Sequence, residues 1–156
     1  MTYDNIVTGT FLKRPNRFIA YVEVKGDVKT CHVKNTGRCQ ELLVPGCTVV
    51  LEFHPKAKEM KRKTEYDLIA VYKGNLLINM DSQAPNQAAL EWIREKEAKG
   101  LSLENVGIPT NIRREVTHGE SRFDLAFELK DEVTGKTVPA FMEVKGCLLY
   151  TSPSPR

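Results

Sequence analysis

Several things are scarce in this chain, and each scarcity narrows what it can be. No apolar run approaches the length of about 20 residues that a membrane-spanning helix needs. The first residues, M-T-Y-D-N, lack the basic and apolar regions of a secretory signal. A cytoplasmic protein with no membrane partner is therefore the default expectation. The four cysteines, Cys31, Cys39, Cys47 and Cys147, include no C-x-x-C pair, and no histidine stands at zinc-finger spacing. Reduced, partly buried thiols are expected ahead of structural zinc. The net charge is only +3, so any nucleic-acid partner must be announced by local clusters of charge. What remains is the balance of a globular protein, 41% hydrophobic and 28% charged. Its 156 residues suffice for one ordinary domain or two small ones.

The first half reads as short strands. Ile6 to Lys13 is followed by a turn at Arg14-Pro15-Asn16. Arg17 to Val24 alternates, with Phe18, Ala20, Val22 and Val24 on one face. Val28 to Val33 returns after Lys25-Gly26-Asp27, and Arg38 to Leu43 reads as a short helix stopped by Pro45-Gly46. Thr48 to His54 is rich in β-branched residues, and Tyr66 to Tyr72 pairs with Leu76 to Asn79 around Lys73-Gly74-Asn75. That order of strands, with one helix between the third and fourth, is the order of an OB-fold barrel over residues 1–80. Between the fourth and fifth strands, five of the eight residues from Lys56 to Lys63 are basic: Lys56, Lys58, Lys61, Arg62 and Lys63. Such a run is commonly a solvated connector. In an OB-fold, however, this loop grips nucleic acid, so contact with DNA phosphates is expected here.

Asp81 to Pro85 reads as a linker, and residues 81–146 as a second segment. Asn86 is expected to cap a helix running to Lys99, stopped at Gly100, with Glu91 beside Trp92. Leu101 to Pro109 reads as a loop and Asn111 to Thr117 as a strand, turned back by His118-Gly119-Glu120. Two apolar runs follow, S-R-F-D-L-A-F-E-L from Ser121 and V-P-A-F-M-E-V-K-G ending at Gly146. A hairpin turning at Thr134-Gly135 sets Asp124 opposite position 144, beside Glu143 and Lys145, which share a strand face. Two carboxylates and an ammonium meeting there can hold a divalent ion and activate a water. Opposite charges across a solvated hairpin are also ordinary, contributing about 0.2–1 kcal/mol per pair.

Residues 147–156, C-L-L-Y-T-S-P-S-P-R, break from this pattern and match the translation of a sequencing-library adapter. They are expected to be a scar foreign to the fold.

The helix Glu, the Asp on a later strand and the E-x-K on the next together resemble the PD-(D/E)XK nuclease core. Longer motifs resemble the bacterial sugar fermentation stimulation protein A family: R-F-I-A-Y-V (17–22), N-T-G-R (35–38), L-L-V-P-G (42–46) and R-K-T-E-Y-D-L-I-A-V (62–71). N-M-D-S-Q-A-P-N (79–86), R-E-V-T-H-G-E-S-R-F-D (114–124) and M-E-V-K-G (142–146) complete the likeness. The resemblance implies an α+β protein, with an OB-like barrel followed by a PD-(D/E)XK nuclease-like α/β domain. It implies Asp124 and Glu143 as ligands of Mg2+, with the carbonyl of Val144, and Lys145 as the group that orients the attacking water. Glu91 is implied as an additional helix carboxylate, and Arg114 and Arg122 as phosphate contacts. Family members run on beyond the E-x-K strand, so the nuclease-like domain is expected to be cut short here and inactive alone. The functional expectation is a protein that binds DNA without sequence specificity and carries a Mg2+-dependent phosphodiesterase site. The alternative is a non-catalytic DNA-binding regulator of sugar metabolism genes. Direct binding of a sugar ranks last, because no sugar-site signature is visible.

Overall fold

The computed structural model describes residues 1–104 and 106–146, which fall into two compact units, residues 2–83 and 84–146 with Met1. The first unit holds β1 (Ile6–Asn16), β2 (Ile19–Val24), β3 (Asp27–Val33), β4 (Thr48–Phe53), β5 (Tyr66–Lys73) and β6 (Leu76–Asn79). The strand order is β3-β2-β1-β4-β5-β6, and a parallel β3–β5 pairing, Cys31↔Tyr66 to Val33↔Leu68, closes the first five strands into a barrel. This is the OB-like barrel that the strand order predicts. Alternation along β2 turns Ala20, Val22 and Val24 inward, where they meet Phe11, Val33, Val49, Leu51, Leu68 and Val71 in one core. Gly9 permits the close crossing of β1 and β2. A Cβ there would stand 2.5 Å from Val22 Cγ1 and 2.7 Å from the Glu23 carbonyl oxygen.

Three expectations for this half need correction. The residues Arg14-Pro15-Asn16 continue β1 through two register shifts, and the turn comes at Arg17-Phe18, where Asn16 Oδ1 accepts the N–H groups of Phe18 and Ile19. Phe18 therefore stands outside the core, 45% exposed. The helix expected at Arg38 to Leu43 is a single turn closed by Leu43 N–H to the Cys39 carbonyl at 2.9 Å. Six residues ending before a proline give too few hydrogen bonds to offset helix nucleation. Cys31, Cys39 and Cys47 are free thiols, and burial followed by the nearby Asp67 charge pushes Cys31 up to about 12.

The second unit is α1 (Ala84–Lys99) and a sheet of β7 (Ile108–His118), β8 (Ser121–Lys130) and β9 (Thr137–Met142), in the order β7-β8-β9. The helix starts two residues before Asn86, so Asn86 is not its cap. The Gln83 N–H instead bonds Asp81 Oδ1 at 2.9 Å, and Pro85 sits in the first turn, where no N–H partner is needed. Gly100, at φ +61°, ends the helix as expected. Leu101 N–H reaches the Lys96 carbonyl and Gly100 N–H that of Glu97, a Schellman closure. Leu90 and Ile93 face the sheet and form its core with Leu103, Leu125 and Phe127. The strand over Asn111 to Thr117 is longer than expected, taking in Ile108 and Pro109. Residues 147–156, expected to be an adapter scar, lie outside the described residues.

Candidate functional site

The β8–β9 hairpin forms, but Leu125↔Met142 sets Asp124 level with Glu143 rather than with Val144, one residue from the predicted register. Pairing stops at Met142, so Glu143, Val144 and Lys145 lie beyond the end of β9. Side-chain hydrogen bonds hold the segment where the strand ladder does not. Val144 N–H donates to Asp124 Oδ2 at 2.7 Å, and Asn86 Nδ2, from the first turns of α1, donates to Asp124 Oδ1 at 2.8 Å. One carboxylate thus joins the helix, β8 and the E-x-K tripeptide. Gly146 packs on Pro85 so closely that a Cβ would lie 2.6 Å from Pro85 Cγ, which fixes the exit of the tripeptide beside the start of α1. Glu143 and Lys145 form an ion pair with each other, their side chains 57% and 77% exposed.

The other residues singled out from the sequence are placed differently. Glu91 lies on the exposed side of α1, where its Oε1 accepts from Gln87 Nε2 at 2.8 Å. Among the described residues no hydrogen bond links it to Asp124. The helix side chain that reaches Asp124 is Asn86, and Glu91, five residues on, lies about 1.4 turns further along α1. Arg122 is paired with Glu115 at 2.9 Å, and Arg114 is exposed on β7 opposite Leu125.

In the barrel, Lys56, Lys58, Lys61 and Lys63 are exposed on the loop between β4 and β5. Arg62 is not free in the same way. Its Nη2 is held at 2.6 Å by Oδ1 of the buried Asp67. Arg62 and Lys63, with Phe18 and His32, line an open groove of about 530 Å³. The Arg17 guanidinium lies over the Phe18 ring, 4.9 Å from its centroid. A second groove of about 500 Å³ is lined by Arg14, Arg17, Thr36 and Arg38. Arg14 is committed to structure there, donating to the carbonyls of Asn35, Gly37, Arg38 and Arg17 at 2.5–2.8 Å. The β1–β2 connection thus joins the basic loop at one surface, a partnership for which Phe18's exposure was the missing signal.

Two models of one family match this chain, the SfsA N-terminal OB domain over residues 12–80 and the sugar fermentation stimulation protein RE domain over residues 83–154. A sugar fermentation stimulation protein homolog of Alkaliphilus oremlandii is 53% identical over 150 residues, covering 96% of this chain and 60% of the relative. The homolog of Clostridium beijerinckii is 48% identical over 149 residues, covering 96% of this chain and 59% of the relative. The chain therefore spans about 60% of the length of these relatives. Among solved structures, that of Pyrococcus furiosus SfsA in complex with Ca2+ is similar with a TM-score of 0.68 at 26% identity, over 92% of this chain and 55% of that one. With both of its units matched in this way, the chain belongs to the sugar fermentation stimulation protein family.

Proposed function

We propose that this chain is part of a DNA-binding protein with a Mg2+-dependent phosphodiesterase site at Asp124 and Glu143. The observation that carries the reading is the double hydrogen bond to Asp124, which brings the E-x-K tripeptide to the carboxylate. The donor set suits a hard divalent ion. Each Asp124 oxygen keeps a second lone pair beyond the one that accepts an N–H, and Glu143 adds a second, accessible carboxylate. Asp124, Glu143 and the Val144 carbonyl would hold Mg2+, which supplies a water of lowered pKa and a Lewis acid for the scissile phosphate. Asn86 and the Val144 N–H orient Asp124, the positioning that ligand carboxylates generally require. Lys145 turns from Glu143 toward the phosphate and offsets negative charge as it develops there. The Ca2+ bound by the Pyrococcus relative supports a hard-cation site in this family.

The barrel's part is to hold DNA through its phosphates, without reading bases. Exposed Lys63 beside Phe18, with exposed Lys58 and Lys61 on the same loop, gives a basic surface with a ring on which a base can stack. The test uses the protein extended to its relatives' length, incubated with DNA and Mg2+. Cleavage that disappears in Asp124→Ala supports the enzymatic reading. Absence of cleavage, with the variant indistinguishable, sinks it.

A second reading is a DNA-binding module without catalysis, favoured by the pairing of Lys145 with Glu143, which neutralises both. That reading keeps the salt-dependent gel shift and loses nothing in Asp124→Ala. On either reading, replacing Lys58, Lys61 and Lys63 by Gln flattens the salt dependence by about 0.7 in log–log slope for each phosphate of single-stranded DNA that is no longer neutralised. An unchanged slope removes the loop from the interface.

A further inference from the structure

A separate group of side chains stands at the root of the basic loop, in the barrel unit. Strand register aligns Glu52 on β4, Asp67 on β5 and His32 on β3 in one row, and His54 follows directly after β4. Asp67 is buried at 3% exposure, while Glu52 and His54 are half-buried. A donor atom from each of Glu52, His54 and Asp67 lies within 4.8 Å of the other two.

The two carboxylates are oriented. Glu52 Oε1 accepts the Asp4 N–H at 3.0 Å, and Asp67 Oδ1 accepts Arg62 Nη2 at 2.6 Å. Each therefore turns its other oxygen to His54. Asp67 Oδ2 is 3.0 Å from His54 Nε2, and Glu52 Oε2 is 3.7 Å from the same atom. A four-coordinate ion with bonds of about 2.0–2.1 Å separates its ligands by about 3.3–3.4 Å along each edge. The two measured edges straddle that length. A plain histidine–aspartate pair needs neither the third donor nor the outer hydrogen bonds that leave Oε2 and Oδ2 open.

We infer that Glu52, His54 and Asp67 form a site for a Zn2+-class transition-metal ion, distinct from the hard-cation site of the second unit. One imidazole and two carboxylates suit zinc, and three protein ligands leave a fourth position for water or a ligand group. Mg2+ and Ca2+ call for six or more oxygen ligands or water-rich octahedral shells, which an imidazole nitrogen at the centre of the group does not offer. The ion takes the place of the direct contact between His54 Nε2 and Asp67 Oδ2. His32 Nδ1, 3.5 Å from Asp67 Oδ1, stays on the Arg62 side and orients the carboxylate. His54 and Asp67 stand at the two ends of the basic loop, so the ion staples the loop's root and orders the lysines it carries.

The test is titration of the tag-free 156-residue chain with Zn2+ alone by calorimetry, with Co2+ as the spectroscopic stand-in. The expected result is one equivalent of Zn2+ and the intense visible Co2+ absorption of a four-coordinate ion. Glu52→Gln and His54→Gln each weaken binding more than about tenfold, and Arg62→Met weakens it by about 10–100-fold as the loss of an orienting partner. A double variant, Asp124→Asn with Glu143→Gln, keeps the equivalent. Far-UV circular dichroism confirms that each variant is folded. Should one unfold, trypsin cleavage of wild type at Lys56 to Lys63 gives the second readout, expected to slow with Zn2+. The inference is overturned by no binding, by binding that survives both Glu52→Gln and His54→Gln, by loss in the Asp124/Glu143 double variant, or by unchanged proteolysis.

Discussion

The barrel closes on itself through β3–β5, whereas among the described residues the second sheet has three strands, two edges and one covering helix. Closure removes strand edges and gives every barrel strand two neighbours, so position within it is set by the backbone ladder. The second sheet buries Leu90, Ile93, Leu103, Leu125 and Phe127 and leaves Val138 and Phe141 of edge strand β9 exposed. Its candidate site lies past the end of that strand and is positioned by side chains: Asn86, Asp124 and the contact of Gly146 with Pro85. The lesson is that one unit uses the fold to hold its loops, and the other uses hydrogen bonds to hold three residues that the ladder has released.

The largest expected effect tests whether the barrel's core stands on its own. Leu51, fully buried, should cost about 2–5 kcal/mol when changed to Ala. Hydrogen exchange should then quicken in β1 to β6 and keep its native rate in α1 and β7 to β9. Equal loosening of both units breaks the comparison. Next comes Gly9→Ala, where the 2.5 Å and 2.7 Å approaches force β1 from β2 at about 1–3 kcal/mol, measured as a drop in denaturation midpoint. A neutral result means the barrel adjusts more freely than its closed ladder implies.

Asn86→Ala sharpens the other side. Losing one hydrogen bond to Asp124 should cost about 1 kcal/mol and release the E-x-K segment, read as faster exchange of the Val144 amide. Protection that is unaffected would place the hold on the segment elsewhere.

The smallest effect concerns the β8–β9 turn. Hydrogen bonds from the Thr134 N–H, then its hydroxyl and the Val133 N–H, hold the Asp131 carboxyl below the usual carboxylate range. A depressed folded value stabilises the turn above the unfolded carboxylate range, and that contribution is lost as pH falls through the folded value. The Thr134 amide shift should follow this acid step in wild type and lose it in Asp131→Ala. A step that persists in the variant belongs to another group.

Where local pattern decides structure, the sequence was legible. Alternation along Arg17 to Val24 places Ala20, Val22 and Val24 in the core, though Phe18 lies outside it, and Gly100 ends its helix. The order of strands identifies the barrel because closure needs that order. The meeting of Asp124 with E-x-K was legible, yet not its register or its supports. Asn86 reads as a cap because the same amide that bonds a helix end can also bond a distant carboxylate. Arg62 reads as one more surface charge, since nothing local shows that the buried Asp67, five residues on, claims it. Glu91 and Asn86 are both polar residues on one helix, and only packing of that helix on the sheet decides which reaches Asp124.

The central claim is that the second unit holds a hard divalent ion between Asp124 and the E-x-K segment. Its most direct test is a Mg2+ titration of the isotope-labelled chain followed by amide resonances. The prediction is saturable shifts at Val144, Lys145 and the Asn86 side-chain amide, none in the barrel strands, and their loss in Asp124→Ala. No shift at Val144, or the same shifts in the variant, would contradict it.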